Sequence, residues 1–217
     1  MLVSHRHRFI YLKTKKTAGT AIEKALEPFA RPPGAAGEWQ HAAPMAVSEA
    51  GIVGARGRGA KRERWYSHMP AAQVRDQLPP EVWDGYTRIC AVRNPWDKVV
   101  SFFHMSHPRV KERPREQVFA RFRRFVAESD QLGEDIDIYA IDGRPVAHEV
   151  IRYETLGADF ARVCAALGIA APPLEAVKTD ARGADRIDYR DYYDDAARER
   201  VAARFAPDIA LLGWRFG

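Results

Sequence analysis

Cysteine is scarce in this chain: Cys90 and Cys164 are the whole complement of its 217 residues. A chain of this length can bury a core without disulfides. Cys90 sits in the apolar run Ile89-Cys90-Ala91-Val92 and Cys164 in a helical pattern. Both therefore read as buried reduced thiols, which suits a reducing compartment, rather than as a bridge or a nucleophile. Long hydrophobic runs are missing as well. No stretch approaches the roughly 20 apolar residues that cross a bilayer. The opening Met1-Leu2-Val3-Ser4-His5-Arg6-His7-Arg8 meets charge too soon for a signal peptide. Strong charge bias is also absent: 34 Lys and Arg against 29 Asp and Glu leave a formal net charge of +5. The basic residues gather at Arg56–Arg64, Arg109–Arg115 and Arg121–Arg124, with no nucleic-acid motif beside them. A small polyanion is the expected ligand, with no nucleic acid as partner and a cytoplasmic location.

What is present begins with an apolar strand, Phe9-Ile10-Tyr11-Leu12, running into the polar loop Lys13–Thr20 and then the helix Ala21–Leu26. A strand, a Lys/Gly/Thr loop and a helix start together form a phosphate cradle, because backbone N–H groups and the helix dipole both favour an anion there. The order excludes the nucleotide-triphosphatase loop, which needs Gly-Lys-[Ser/Thr]. Here Lys16 precedes Gly19. The run Tyr86–Val92 reads as a second buried strand, and Arg93 follows it where a Walker-type site would want an acidic Mg²⁺ ligand. A second cation suits a second phosphate. Asn94 is a good N-cap and Pro95 suits the first helical position. Ser101 then returns, two turns on, to the face of Asn94. Arg93 and Ser101 could share one phosphate; equally, Arg93 could pair with Asp97 as a structural ion pair.

The remainder reads as one domain over 1–217 with a Gly/Arg-rich excursion at about 30–65, mostly loop with a short helix near Pro44–Ala50. Helices are expected from Pro70 through Leu78, over Arg115–Glu128, over Phe160–Leu167 with a stop at Gly168, and over Asp194–Phe205. Asp142-Gly143 signals a hairpin between Ile136–Ile141 and Pro145–Tyr153. Glu134-Asp135-Ile136-Asp137 lacks the Gly and spacing of a calcium loop and reads as a solvated strand edge. No metal site is expected.

Together the two phosphate elements resemble the cofactor signatures of sulfotransferases that use 3′-phosphoadenosine 5′-phosphosulfate (PAPS). Lys16-Thr17-Ala18-Gly19-Thr20 is similar to the family's 5′-phosphosulfate loop, and Arg93-Asn94-Pro95-Trp96-Asp97…Ser101 to its 3′-phosphate element. The likeness is to the carbohydrate sulfotransferase branch and its bacterial relatives. It extends through Ile151–Leu156 and the ending Tyr189–Gly217. Position 21 is Ala where the family usually has Ser or Thr, and position 15 is Lys where Pro is common. The resemblance implies a three-layer α/β/α fold with a central, mainly parallel sheet of P-loop-like topology. It implies transfer of a sulfuryl group from PAPS to a hydroxyl of a carbohydrate or glycolipid acceptor, leaving 3′,5′-adenosine bisphosphate. Lys15, Lys16, Thr17, Ala18, Gly19, Thr20 and Ala21 would hold the 5′ end, and Arg93 and Ser101 the 3′-phosphate. Lys16 would stabilise the leaving oxygen.

A base must take the acceptor's proton. His68, before Met69-Pro70 at an expected helix start, would be kept neutral by the helix dipole. Its spacing from Arg93 resembles that of the base in histidine-using uronyl sulfotransferases; His41 and Glu38 are the other candidates. Trp39 or Trp65 could stack on adenine or a sugar, and Lys178 and Arg182 could close over the cofactor. Two other readings stay open. One is a nucleotide or small-molecule kinase on the same kind of sheet. The other is a non-catalytic basic protein binding nucleic acid or an anionic partner through Arg56–Arg64. Acceptor specificity is expected in 30–65 and 105–130, the least patterned stretches.

Overall fold

Short apolar segments pair into one six-stranded sheet and a separate two-stranded one. The computed structural model describes residues 1–35, 38–175 and 187–217. In chain order the strands are β1 (Leu2–Ser4), β2 (Phe9–Leu12), β3 (Ala46–Ser48), β4 (Gly51–Val53), β5 (Thr87–Val92), β6 (Ala140–Ile141), β7 (Arg144–Pro145) and β8 (Glu149–Arg152). The helices are α1 (Gly19–Leu26), α2 (Ala71–Gln77), α3 (Pro80–Gly85), α4 (Pro95–Ser106), α5 (Arg115–Glu128), α6 (Leu156–Ala166), α7 (Asp195–Arg204) and α8 (Ala206–Leu212). The chain divides into two compact units. The first takes Met1–Val92 and Asp137–Glu175; the second takes Arg93–Ile136 and the chain from Ala176 to Gly217.

The first unit holds both sheets. Its main sheet runs β3-β4-β1-β2-β5-β8. β2, β5 and β8 are parallel neighbours, while β1, β4 and β3 are joined by antiparallel pairings. The fold is therefore α/β, but the sheet is mixed and not mainly parallel as expected. The reason is connection length. Only His5–Arg8 separate β1 from β2, and a parallel crossover needs a dozen residues or more. One sheet face presents Leu2, Phe9, Tyr11, Ile89, Ala91 and Ile151 to Ile22 and Leu26 of α1 and to Phe160 and Val163 of α6. Burying Ile22 and Leu26 contributes about 3–6 kcal/mol relative to exposure.

Three local expectations need correction. The stretch near Pro44–Ala50 is not helical: β3 and β4 form a hairpin that extends the sheet from β1. Pairing partners some fifty residues upstream, invisible to local propensity, decide it. The Asp142-Gly143 turn does form, with both residues left-handed (φ 51 and 72), but it joins only the two-residue strands β6 and β7. β8 instead pairs with β5. Glu134–Asp137 is no solvated edge: Asp135 is buried against the Lys98 ammonium, and Glu134 pairs with Arg204.

The second unit is helical over its described residues. α4, α5 and α7 close around Trp96, Val99, Phe103, Phe122, Val126, Val201 and Phe205. Asn94 caps α4 as expected, its Oδ1 accepting from Trp96 N at 3.1 Å. Asp194 does the same for α7 through Ala197 N at 2.8 Å. No described helix is long and apolar enough to cross a membrane.

Candidate functional site

The cradle is built between the end of β2 and the start of α1. Lys16 and Ala18 both take the left-handed backbone conformation, each with φ 59. For non-glycine residues this costs on the order of 1–2 kcal/mol each, so the surroundings must impose it. They do. The Thr14 hydroxyl donates to Ala91 O on β5. That donor being used, the buried Thr17 hydroxyl donates to Thr14 Oγ1 at 2.8 Å. Left-handed residues in alternation immediately before a helix turn successive N–H groups into one concavity, a backbone nest for an anion. Gly19 opens α1 where the chain folds back on itself. A Cβ there would lie 3.1 Å from Thr14 O, 3.2 Å from Lys13 Cγ and 3.3 Å from the Tyr11 hydroxyl. Lys15, Lys16, Ala18 and Thr20 are half-buried around this turn; Ala21 is buried.

His68 belongs to the same cluster. It too is left-handed (φ 63), so three of the five non-glycine residues with positive φ among those described are expected site residues. Its Nδ1 lies 3.0 Å from Lys13 O. A carbonyl only accepts, so Nδ1 carries the proton and donates, which leaves Nε2 as the acceptor nitrogen. Burial, reinforced by the Lys13 ammonium and the Met1 amine, pushes the imidazole down to about 3. The expected neutral state is present, but its main cause is desolvation and neighbouring charge, not the dipole of α2.

The carboxylate behind this arrangement was not foreseen. Glu23, fully buried on α1, accepts from the Lys13 ammonium at 2.6 Å and from the Ser67 hydroxyl at 3.4 Å. Burial pushes its carboxyl up, but the Met1 amine and Lys13 outweigh this and hold it below the ordinary value. A signal was present in the sequence. Gly19, Ile22, Glu23 and Leu26 form an i, i+3, i+4, i+7 stripe, and Glu23 is the charge on that buried face.

Arg93 and Ser101 lie in the second unit. Arg93 is buried and its guanidinium holds Asp97 Oδ2 at 2.6 Å, the i,i+4 pair that was the alternative reading. Ser101 is buried on α4. His41 and Glu38 lie in the excursion, where His41 meets Trp39 edge-on at 4.8 Å. Arg56 is not available to a polyanion: it is buried, paired with Glu27 and stacked at 4.8 Å over Trp39. Trp65 is buried as a core residue. Lys178 and Arg182 fall outside the described residues.

Comparison with protein-family models, with curated proteins and with solved structures returns no significant match.

Proposed function

We propose that this protein is a PAPS-dependent sulfotransferase of the carbohydrate-sulfating kind, with the P-loop-like sulfotransferase topology that its sequence signatures resemble. The observation that carries the reading is the joining of two things on one loop. A left-handed nest containing Lys16 opens α1, and a neutral histidine with a free acceptor nitrogen is braced on the first residue of that same loop. The first is suited to a phosphosulfate and the second to an acceptor hydroxyl.

In this reading the donor supplies a sulfuryl group already activated on a 5′-phosphate. Lys16 and the N–H groups at the start of α1 stabilise the charge that develops on the leaving phosphate oxygen. His68 Nε2 accepts the proton of the acceptor hydroxyl as its oxygen bonds to sulfur and the sulfur–oxygen bond to the phosphate breaks. A base at about pKa 3 is weak in the ligand-free protein. The bound donor is itself anionic and counters the Lys13 and Met1 charges that add to the effect of burial on His68, so donor binding raises its basicity. The sequence signature assigns Arg93 and Ser101 to the 3′-phosphate.

The test is titration calorimetry with 3′,5′-adenosine bisphosphate beside ATP with Mg²⁺. Tighter binding of the bisphosphate is expected, with affinity lost in Lys16→Met. Preferential binding of ATP with Mg²⁺ would replace this reading with a kinase.

A further inference from the structure

We propose that Glu23 is a positioning residue, which acts through Lys13 and Ser67 to hold His68 in the one tautomer that leaves Nε2 as an acceptor. The connections form a closed ring. Glu23 Oε2 accepts from Lys13 Nζ at 2.6 Å. Lys13 O, on the same residue, accepts from His68 Nδ1 at 3.0 Å. Ser67, the chain neighbour of His68, returns to Glu23 Oε1 at 3.4 Å. One buried carboxylate thus anchors both strands of chain that meet at the imidazole: the entry to the cradle and the segment carrying the histidine.

The ring explains a conformation that nothing local favours. His68 is left-handed, a region uncommon for non-glycine residues although histidine enters it more readily than most. Ser67 fixes the residue before it and Lys13 O fixes its ring, so the backbone between them has little choice. Lys13, Glu23 and the Met1 amine act on the imidazole by charge, and of these Glu23 is the anion. It raises the histidine while the two cations lower it. Glu23 therefore fixes the orientation of His68 and partly offsets the cations beside it, while burial has the larger hold on its basicity.

The use of this clamp in catalysis rests on the transferase reading; the clamp itself does not. It is read without substrate from the ¹H–¹⁵N ring correlations of His68 across a pH series. The native protein should show a single Nδ1–H tautomer, uncharged at pH 5. The paired variant Lys13→Met/Glu23→Leu removes both side-chain links and one charge of each sign, leaving the Met1 amine in place. In it, both tautomers should appear. A single, unchanged tautomer there would overturn the proposal.

Ser67→Ala serves as the gentler variant, and it decides the matter should the pair not fold. It should raise the Nε2–H tautomer above a tenth of the population; a spectrum identical to native would overturn the clamp. In turnover assays Ser67→Ala should lower kcat several-fold with KM for the donor unchanged, and Ser67→Thr should restore it. A clamp seen by NMR in a protein that transfers no sulfuryl group would sink the transferase reading alone.

Discussion

Replacing His68 by Asn should change how stability depends on pH more than it changes stability itself at neutral pH. Asn tolerates the left-handed backbone, and its side-chain amide can donate to Lys13 O as the imidazole does. What it cannot do is bind a proton. In the folded protein His68 titrates at about 3, against an ordinary histidine value of 6.5. Between those values the unfolded chain binds the proton and the folded chain does not, so stability rises with pH across the window and falls as pH drops through it. The full difference corresponds to about 5 kcal/mol below pH 3, and to about 2 kcal/mol at pH 5. Because the ring is half-buried, solvent screening trims the latter to about 1–2 kcal/mol. Urea denaturation of both proteins at pH 7, 6 and 5 measures it. The native protein should lose that much more stability than His68→Asn between pH 7 and 5. The comparison cancels the other histidines, His7 and His148 included, both of which are also lowered by burial. Parallel curves for the two proteins would show that His68 is not buried in its neutral form, and the argument for its role would fall with that.

The Lys13–Glu23 pair should respond unequally to loss of either partner. Glu23→Gln leaves a buried ammonium and should cost about 3–5 kcal/mol in chemical denaturation. Lys13→Met should cost less, since Glu23 keeps the Ser67 hydroxyl and the Met1 amine at 3.5 Å; a larger loss in Lys13→Met would contradict the network. Gly19→Ala should bind 3,'5'-adenosine bisphosphate at least tenfold more weakly by calorimetry, because the new Cβ presses on Thr14 O, a backbone atom that cannot move without the nest. Its melting temperature should change little, since a helix propensity gain of about 1 kcal/mol offsets the crowding. Asn94→Ala removes both the cap on Trp96 N and a donor to Arg215 O, and should lower stability by about 1–2 kcal/mol in thermal or urea melts. A loss under 0.5 kcal/mol would show that the α4 start is held by packing alone.

Features determined within a few residues were legible in the sequence. β2 runs over Phe9–Leu12 and α5 over Arg115–Glu128, the bounds expected from apolar periodicity. Gly168 is left-handed after α6, as a helix stop requires. Features that depend on distant partners were not. β1 is three residues long and has no signal of its own; it exists because β2 and β4 flank it. The stretch was expected as loop with a short helix near Pro44–Ala50, and the open edge of β1 instead draws it into β3 and β4. A mainly parallel sheet was expected, but only β2, β5 and β8 are parallel neighbours, and of these β8 was expected in a hairpin.

The candidate site divides along the same line, and charge shows why. Lys13, Arg56 and Lys98 all add to the positive charge of the sequence, and Arg56 lies in a basic cluster expected to draw an anion. In the structure each is buried against a carboxylate: Glu23, Glu27 and Asp135. A buried ion pair presents almost no net field to a ligand, so these three lysines and arginines belong to the architecture and not to attraction at long range. Spacing can nominate a cation for an anion site, but only the position of the opposing carboxylate decides whether that cation is spent. Glu23 is the case where the two questions meet. Its charge neutralises Lys13, and the same contact fixes the carbonyl on which His68 is braced. A residue that is one acid among 29 in the sequence thereby fixes the contact that orients the His68 ring.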